Sequence, residues 1–334
     1  MILDKLFDFS SLVTLASTLL GGFLIFPPQA KIENNTCYDY VIVGGGTAGC
    51  VLARRLAEQN CSVLLLEAGG NPNAVSMAPG VFFLEPKTSI DYDYQSTYNP
   101  YAAGSQGNYT RLTSGKALGG SSVLNHLLHI RPPPADFDRL AEITNDDSWA
   151  YDNFLEYFKK SENMTDEEIA QKYGNYHGVR GPVGTVRLNS TDINDAPVIN
   201  TGFYSDSKDL DRFVNIILDF TKFVDSPTMA KLGAEIVVDE KCAEDKEVFS
   251  VDYWRCYILR KTLSPFLYLG TCPIGSVVDT NLKVIGFNKL RVVDASVFPE
   301  LLRGAFNSAV IALAEKMADQ ILNENGACNS DGAC

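Results

Sequence analysis

Two short apolar runs near the start of the chain frame a segment predicted to be helical. Residues 38–43 read Tyr-Asp-Tyr-Val-Ile-Val, and residues 62–66 read Ser-Val-Leu-Leu-Leu. Both runs are rich in residues that favour strands, and residues 48–59 between them are predicted to form a helix. A strand, a helix and a second strand in this order are typical of a parallel α/β sheet.

A second periodic region lies near the C-terminal end of the chain. Val310, Leu313, Met317 and Ile321 recur at helical spacing, which predicts a helix from about residue 306 to residue 322. An apolar stripe of this kind is typical of core packing and gives no evidence of a binding function.

Three glycines follow the first predicted strand in the spacing G-x-G-x-x-G. Gly44 permits a tight turn, Gly46 lets the backbone approach a pyrophosphate, and Gly49 lets the following helix pack closely on the strand. Glu67, directly after the second strand, is placed to accept a hydrogen bond from a ribose hydroxyl. The region is interpreted as the entry to a Rossmann site for NAD or FAD, with an ordinary glycine-rich turn as the alternative.

A second loop combines glycine with serine. Gly119 and Gly120 precede Ser121 and Ser122, so backbone N–H groups and hydroxyls are exposed on one bend, which suits a pyrophosphate and the edge of a flavin. A serine-rich turn without a ligand is the alternative. Residues 115–125, Gly-Lys-Ala-Leu-Gly-Gly-Ser-Ser-Val-Leu-Asn, resemble the first signature of the glucose-methanol-choline (GMC) oxidoreductases.

The resemblance extends over most of the chain and implies FAD as the cofactor. Residues 91–94 resemble the family's extended segment before the signature, residues 151–162 the helix after it, and residues 290–299 the strand that returns to the cofactor. The chain is most similar to secreted insect members that resemble glucose dehydrogenases. Further cofactor-site residues implied by the resemblance are Asn125, His126, Leu127, Leu128, Asp294 and Ala295.

The resemblance also implies a domain organisation. We expect an α/β fold in which the N- and C-terminal segments form a Rossmann-like FAD-binding domain, with a remnant of an α+β substrate domain. The expected segments are a signal peptide or short anchor (1–30), the N-terminal GMC segment (31–183), the C-terminal GMC segment (184–322, with the remnant at 185–285 and the FAD-domain return at 286–322) and a polar tail (323–334).

A long block that family members carry near Gly184 is missing from this chain. That block normally supplies one strand of the FAD-domain sheet, the second family signature and much of the sheet that covers the substrate. Its loss is expected to leave unpaired strand edges and an uncovered apolar face.

The expected catalytic base is also missing. Where the family reads His-Pro-Val-Gly-Thr-Cys, residues 267–272 begin with Leu267, and leucine cannot take the proton of a hydroxyl group. Asn307 stands where the family has its second active-site residue, either orienting a substrate hydroxyl or capping a helix. His126, His129 and His177 are the chain's histidines, and none comes from the junction that presents the base.

Three functional hypotheses follow from these features. The first is an FAD-dependent dehydrogenase or oxidase of alcohols, acting on a sugar or an ecdysteroid and impaired by the two losses. The second is a catalytically dead FAD-binding relic or interaction protein. The third is an incomplete gene model of a full-length enzyme. The missing block supports this hypothesis, but Leu267 lies outside the missing block and does not support it.

Charge and targeting features indicate which partners and which compartment to expect for the protein. The net charge of −13 disfavours nucleic acid as a partner, and no metal-ligand set is expected. The apolar run 11–26 resembles a secretory signal, with a short membrane anchor as the alternative because Asp4 and Asp8 precede it. Secretion is also favoured by eight cysteines and by N-x-S/T sequons that begin at Asn34, Asn60, Asn108, Asn163 and Asn189.

The cysteines allow several pairings. Cys242 with Cys256 and Cys328 with Cys334 are candidate disulfides, although sequence does not fix the connectivity. Cys50 and Cys61 are expected to be buried thiols.

Overall fold

The computed structural model describes residues 29–32, 35–73, 76, 87–125, 130–161, 185–187, 195–264 and 267–326. The chain divides into two compact units. The first combines residues from within 1–93, 113–179 and 267–334, and the second combines residues from within 94–112 and 180–266. Described residues from the N-terminal and C-terminal parts of the chain therefore contribute to the first unit.

The secondary structure mixes strands and helices along the described chain. The strands are β1 (Tyr40–Val43), β2 (Val63–Leu66), β3 (Tyr94–Gln95), β4 (Arg111–Leu112), β5 (Thr185–Arg187) and β6 (Val198–Asn200). The helices are α1 (Thr47–Ala57), α2 (Pro134–Thr144), α3 (Tyr151–Ser161), α4 (Ser207–Val224), α5 (Pro227–Lys231), α6 (Glu240–Ala243), α7 (Val251–Lys261) and α8 (Asn307–Asn325).

In the first unit, β1, α1 and β2 form the predicted strand, helix and strand. The two strands are parallel, with Tyr40 opposite Val63 and Val43 opposite Leu66. The predicted C-terminal helix is confirmed as α8, and its apolar stripe is buried as expected: Val310, Leu313, Met317 and Ile321. The helix predicted at residues 151–162 is confirmed as α3.

An aromatic cluster fills the core between α2 and α3. Phe137, Trp149, Phe154 and Phe158 are completely buried. The ring of Phe137 lies 4.5 Å from that of Phe154 and 5.4 Å from that of Phe158, centroid to centroid. Rings at these separations bury large apolar areas and add directional ring contacts, so this cluster anchors the two helices to each other and to the rest of the unit.

The small parallel sheet has an uncovered apolar face. Within the described residues β1 pairs with β2 alone. Val41 is 57% exposed, Val43 is 83% exposed and Leu66 is 40% exposed. A strand of a parallel sheet is normally buried on both faces, so these side chains form the uncovered face that the sequence predicts.

Residues 290–293, which the resemblance gives as part of a returning strand, are not a regular strand. Arg291 forms an isolated bridge with Lys283, and the Val284 N–H donates to the Leu290 carbonyl at 2.9 Å. These bonds fold the segment back on residues 282–284 in a tight antiparallel turn. The physical reason is that these contacts are an isolated bridge rather than consecutive pairs, so no ladder extends along the segment, and residues Ala295–Val297 form a 3₁₀ turn instead of continuing a strand.

The second unit is held together by antiparallel pairs, helices and a disulfide. Strand β3 pairs with β4, strand β5 pairs with β6, and α4 packs along α7. Cys242 and Cys256 are joined with a Cα–Cα distance of 5.7 Å, which confirms one of the pairings that the sequence allowed. The other candidate pair, Cys328 and Cys334, lies outside the described residues.

Two further cysteines were expected to be buried thiols. Cys50 is a free thiol, as expected, but it is half-buried rather than buried. Cys61 is instead disulfide-bonded, as is Cys37, so the expectation for Cys61 is wrong. Burial alone does not distinguish a thiol from a bridged cysteine, because both are compact apolar groups.

Among the described residues, no helix combines the length and apolarity that crossing a bilayer requires. The apolar run 11–26 lies outside these residues.

Glu324 near the end of α8 provides a test of how the turn at residues 283–291 is held. Hydrogen bonds and charge from Lys283 and Arg291, at 2.8 Å and 2.6 Å, lower the pKa of Glu324 to about 2 from its ordinary 4.5. The depressed pKa contributes stability that is present above pH 4.5 and is lost as the pH falls towards 2.

We expect Glu324→Gln to lower the free energy of unfolding by about 1 kcal/mol at neutral pH, since the group is partly exposed and screened. The deficit is expected to shrink below about pH 3, as measured by urea unfolding across pH. Glu156→Gln, which removes an exposed pair with Lys159, is the control and is expected to change little. A deficit independent of pH would contradict this account.

Candidate cofactor-binding site

The turn between β1 and α1, called here the first glycine loop (residues 44–49), has no room for side chains at two positions. Gly44 has φ +99°, a conformation that L side chains rarely adopt. A Cβ on Gly49 would lie 2.0 Å from the Gly44 carbonyl oxygen. The predicted roles of Gly44 in the tight turn and of Gly49 in close packing are therefore visible in the backbone itself.

The N-terminus of α1 is left free for an anion. Gly46 is the N-cap residue, no side chain caps the helix, and its first turn carries no acidic residue. The first N–H groups of a helix lack partners within the helix, and the helix dipole adds partial positive charge there. Such an end is suited to binding a phosphate group.

The second glycine loop (residues 115–122) packs directly on the first. The Gly119 N–H donates to the Gly45 carbonyl at 2.6 Å. A Cβ on Gly120 would lie 2.7 Å from the Gly46 Cα, so only glycine permits this approach. Gly119 and Gly120 both have positive φ, at +101° and +56°. The structure thus brings together two loops that the sequence assigns to phosphate binding.

The two serines of the second loop hold its shape. Ser122 Oγ donates to the Gly119 carbonyl at 2.6 Å. Ser121 Oγ accepts from the Gly115 N–H at 3.0 Å. Both hydroxyls therefore stabilise the bend, and their predicted contact with a cofactor stays a prediction. Asn125 ends the short 3₁₀ turn Gly120–Leu124 that follows the bend.

Glu67 closes the base of the first glycine loop. Its Oε2 accepts from the Gly45 N–H at 2.7 Å, and its Oε1 accepts from the Gly69 N–H at 2.8 Å. Each carboxylate oxygen has a second lone pair. The group at the end of β2 therefore fixes the loop and keeps the capacity to accept a ribose hydroxyl, the role that the sequence predicts.

Helices α1 and α8 lie side by side and run in the same direction. Thr47 Oγ1 donates to Asn307 Oδ1 at 2.9 Å, and Arg55 Nε donates to Glu315 Oε2 at 2.6 Å. The two contacts have the same separation along the sequence, which requires a parallel alignment. The N-terminus of α8 therefore lies beside the N-terminus of α1 and the first glycine loop.

Asn307 is the first residue of α8, and its amide oxygen is bonded to Thr47. The N-cap is Phe306, and no side chain caps the helix. The capping alternative for Asn307 is therefore wrong, because its carbonyl oxygen is engaged by another helix. Thr47 is the residue that sequence reasoning missed. Its position after the glycines gave a signal for a helix start, and none for a partner 260 residues away.

Leu267 is half-buried and packs against the hydrophobic core of the first unit. The segment after it is hydrogen-bonded to the predicted FAD-domain return, with the Gly270 N–H donating to the Ala295 carbonyl at 3.4 Å. Asp294 is exposed, and its carboxylate accepts from the Ser296 N–H at 2.9 Å. The Leu267 side chain has no proton to exchange, so the residue can contribute only packing at this position.

Several predicted residues fall outside the part of the chain that the structure describes. They are His126, Leu127 and Leu128 of the cofactor site, together with His129 and His177. Among the described residues, no group of His, Cys, Asp or Glu side chains is arranged to hold a metal ion.

Cys50 lies on α1 next to the first glycine loop. Its thiol donates to the Gly45 carbonyl at 3.1 Å. Burial raises the pKa of the Cys50 thiol, and the nearby Glu67 carboxylate also raises it. Cys50 is thus held as a neutral thiol that adds a third contact to the Gly45 peptide group.

Comparison with known proteins assigns this chain to a family. Residues 38–210 match the N-terminal profile described as GMC oxidoreductase, and residues 181–314 match the C-terminal profile of the same description. The first match alone spans more than half of the chain. The chain belongs to the GMC oxidoreductase family. The predicted resemblance is thereby confirmed, and with it FAD as the cofactor for which this GMC chain is built.

Curated relatives of this GMC chain include insect enzymes. It is 40% identical over 162 residues to the ecdysone oxidase of Spodoptera littoralis, covering 47% of this chain and 27% of the relative. It is 38% identical over 155 residues to the glucose dehydrogenase (FAD, quinone) of Drosophila melanogaster, covering 46% and 24%. The chain thus spans about a quarter of the length of the curated relatives it matches.

Solved structures of similar fold confirm the predicted fold class. The pyridoxine 4-oxidase from Mesorbium loti aligns with a TM-score of 0.69 at 17% identity, covering 86% of this chain and 99% of that one. An FAD-dependent oxidoreductase from Chaetomium thermophilum aligns with a TM-score of 0.71 at 14% identity, covering 87% and 100%. At these identities the likeness establishes the mixed α/β fold of the GMC chain.

The close packing of Gly49 gives a direct test of the first glycine loop. We expect Gly49→Ala to destabilise the protein by about 2–4 kcal/mol, because the added methyl group meets the Gly44 carbonyl. Thermal unfolding and flavin absorbance measure the loss of stability and of cofactor retention together.

Gly70→Ala is the matched control. A Cβ at Gly70 meets nothing within 4 Å, and Gly70 does not have a positive φ. It is expected to leave both readouts near those of the wild type. If Gly49→Ala and Gly70→Ala lowered the unfolding temperature and the flavin retention equally, the close packing of Gly49 on Gly44 would be contradicted.

Proposed function

We propose that this chain is an FAD-binding protein of the GMC type whose oxidation of CH–OH donors is strongly impaired. The observation that carries the proposal is the contact between the two glycine loops, in which Gly119 bonds to Gly45 and Gly120 packs on Gly46. The contact brings together the backbones of the two loops that we assign to phosphate binding. The uncapped N-terminus of α1 and the adjoining N-terminus of α8 lie at the same contact.

The residues present fit the cofactor. Gly44, Gly46 and Gly49 give the backbone access to a pyrophosphate, Gly119 and Gly120 let the second loop approach the same place without side chains, and Glu67 keeps lone pairs for a ribose hydroxyl. Bound FAD supplies the acceptor for a hydride from carbon. The remaining candidate cofactor contacts are Ser121, Ser122, Asn125, His126, Leu127, Leu128, Asp294 and Ala295.

The proposed impairment follows from what Leu267 lacks. Oxidation of an alcohol needs a group that removes the hydroxyl proton as hydride leaves, and a positioned base contributes about 10² to 10⁴ in rate. Leu267 is half-buried in the apolar core and cannot take a proton. The bond from Thr47 engages Asn307 Oδ1, so Asn307 can orient a hydroxyl through its Nδ2 donors.

The donor class is proposed from the named relatives. An ecdysone oxidase and a glucose dehydrogenase are among them, so a sugar or an ecdysteroid alcohol is the proposed donor for any residual activity. A catalytically dead FAD-binding relic is the second candidate, and Leu267 favours it. The two candidates share the cofactor site and differ only in turnover.

We also propose that a central block of the family is missing and that the protein is secreted. The two family matches meet and overlap between residues 181 and 210, which leaves no room for further sequence between them. The exposed face of β1 supports the loss of a covering segment. The disulfide between Cys242 and Cys256 supports an oxidising compartment.

The visible absorption spectrum of the purified protein tests the proposal. We expect two flavin bands that do not bleach, or bleach very slowly, when glucose or an ecdysteroid is added under argon. Gly46→Trp should abolish flavin retention in a folded protein, since the indole fills the place where the backbone approaches the pyrophosphate. Rapid bleaching would contradict the impairment, and absence of bands from wild-type protein would refute the cofactor site.

Restoring the histidine provides a second test. We expect Leu267→His to raise turnover by no more than about 10²-fold and to leave it well below that of a full-length relative, because substrate-covering structure is also missing. Leu267→Gln, similar in size and without a base, is the control. Turnover equal to that of a full-length relative would show that the missing block matters little.

A further inference from the structure

Two of the N-x-S/T sequons lie wholly within the described residues, and their surroundings differ. They begin at Asn60 in the first unit and at Asn108 in the second. The Asn amide must reach solvent to carry a glycan, because a glycan is bulky and polar, and the hydroxyl two residues later must be accessible to the transferase. The exposure of these two side chains therefore decides which sequon fits a glycosylated protein.

The Asn60 sequon exposes both of the side chains that glycosylation needs. Asn60 and Ser62 are exposed, whereas Cys61 between them is 6% exposed. The three residues lie between the end of α1 and the start of β2. A glycan on Asn60 therefore extends into solvent while Cys61 keeps its place in the core.

The Asn60 backbone and the Ser62 hydroxyl each have a local structural partner. Asn60 has φ +60°, and its N–H donates to the Ala57 carbonyl at 3.0 Å. Asn adopts this left-handed conformation more readily than most residues, often just after a helix. Ser62 Oγ donates to Asp39 Oδ2 at 2.7 Å in an exposed contact, so the hydroxyl stays within reach of solvent. Neither partner buries the sequon.

The Asn108 sequon has the opposite pattern of exposure. Tyr109 in its middle is 39% exposed, Asn108 is half-buried, and Thr110 is 1% exposed. Thr110 Oγ1 is buried without a hydrogen-bond partner. The hydroxyl that the transferase needs is therefore shut off from solvent in the folded unit.

Asn108 is also tied into its own loop. Its Nδ2 donates to the Ala102 carbonyl at 3.1 Å, and its N–H donates to the Ala103 carbonyl at 3.0 Å. Its carbonyl accepts from the Asn99 N–H at 2.9 Å. Ala102 is completely buried, so turning the amide outward to carry a glycan would leave a buried carbonyl without this bond. Glycosylation of Asn108 therefore opposes folding of the second unit.

We propose that Asn60 is an N-glycosylation site and that Asn108 stays unmodified. The donor is an oligosaccharide joined to a lipid diphosphate. The bond between its anomeric carbon and the diphosphate breaks, the diphosphate leaves as an anion, and the same carbon bonds to Asn60 Nδ2, which loses one proton to solvent. No electrons are exchanged. The inference rests on the proposed secretion, because this donor belongs to the secretory pathway.

The proposed glycan lies at the end of α1 that faces away from the cofactor site. The first glycine loop precedes α1 and Asn60 follows it, and the 11 residues of the helix span roughly 16 Å. A glycan at this end leaves the approach of a pyrophosphate to Gly46 open. We therefore expect flavin retention to be the same with and without the glycan.

The full chain, expressed in a eukaryotic secretory host behind an added signal peptide, tests the site independently of residues 1–30. Peptide-N-glycosidase in heavy-oxygen water converts each glycosylated Asn to a labelled Asp. Mass spectrometry of the reduced tryptic peptides then locates the label. We expect the labelled fraction to be at least ~5-fold higher at Asn60 than at Asn108.

Four substitutions separate glycosylation from local structure. Asn60→Gly keeps the left-handed backbone and Ser62→Ala keeps Asn60, and each is expected to remove one glycan. Ser62→Thr keeps a hydroxyl and is expected to keep the glycan. Thr110→Ala is the matched control in the other sequon. Because its hydroxyl has no partner, this change is expected to alter neither the number of glycans nor the unfolding temperature.

Two results with the fused chain would overturn the proposed site. One is an unlabelled Asn60, and the other is equal labelling of Asn60 and Asn108. If the chain without the added signal stayed in the cytosol, the proposed secretion would be refuted, and with it the glycan in the natural protein. The fused chain separates the two failures, and none of these readouts involves the proposed FAD site.

Discussion

The parallel packing of α1 against α8 is the constraint on which the cofactor site depends. One helix comes from the start of the chain and the other from its end, and Arg55 and Glu315 join them through two hydrogen bonds of 2.6 Å and 2.8 Å. Glu315 is 4% exposed, so loss of Arg55 would leave a buried carboxylate without its main partner. The same alignment brings Asn307 to Thr47 and thereby places the start of α8 beside the first glycine loop.

The local sequence predicts the individual strands, turns and helices of this arrangement. Contacts between residues far apart in sequence determine how these elements pack. The strand, glycine turn and helix around Gly46 follow from residue preferences within a short window, as does α8 with its buried stripe. The contact of Gly46 with Gly120 and the bond of Thr47 to Asn307 join positions far apart in sequence. Neither local sequence pattern indicates which distant residue will form the contact. Residues 290–293 show the converse, because a strand-like pattern whose pairing is limited to an isolated bridge does not become a regular strand.

The proposed cofactor binding depends on backbone groups, whereas the proposed catalysis depends on side chains. The proposed phosphate site uses backbone N–H groups at the start of α1, beside Gly46, and these survive any change of side chain that keeps the glycines. Proton removal in the proposed reaction needs one titratable side chain, and Leu267 stands where the family resemblance places it. A single substitution at such a position leaves the backbone of the glycine loops intact, so the proposal separates cofactor retention from catalysis.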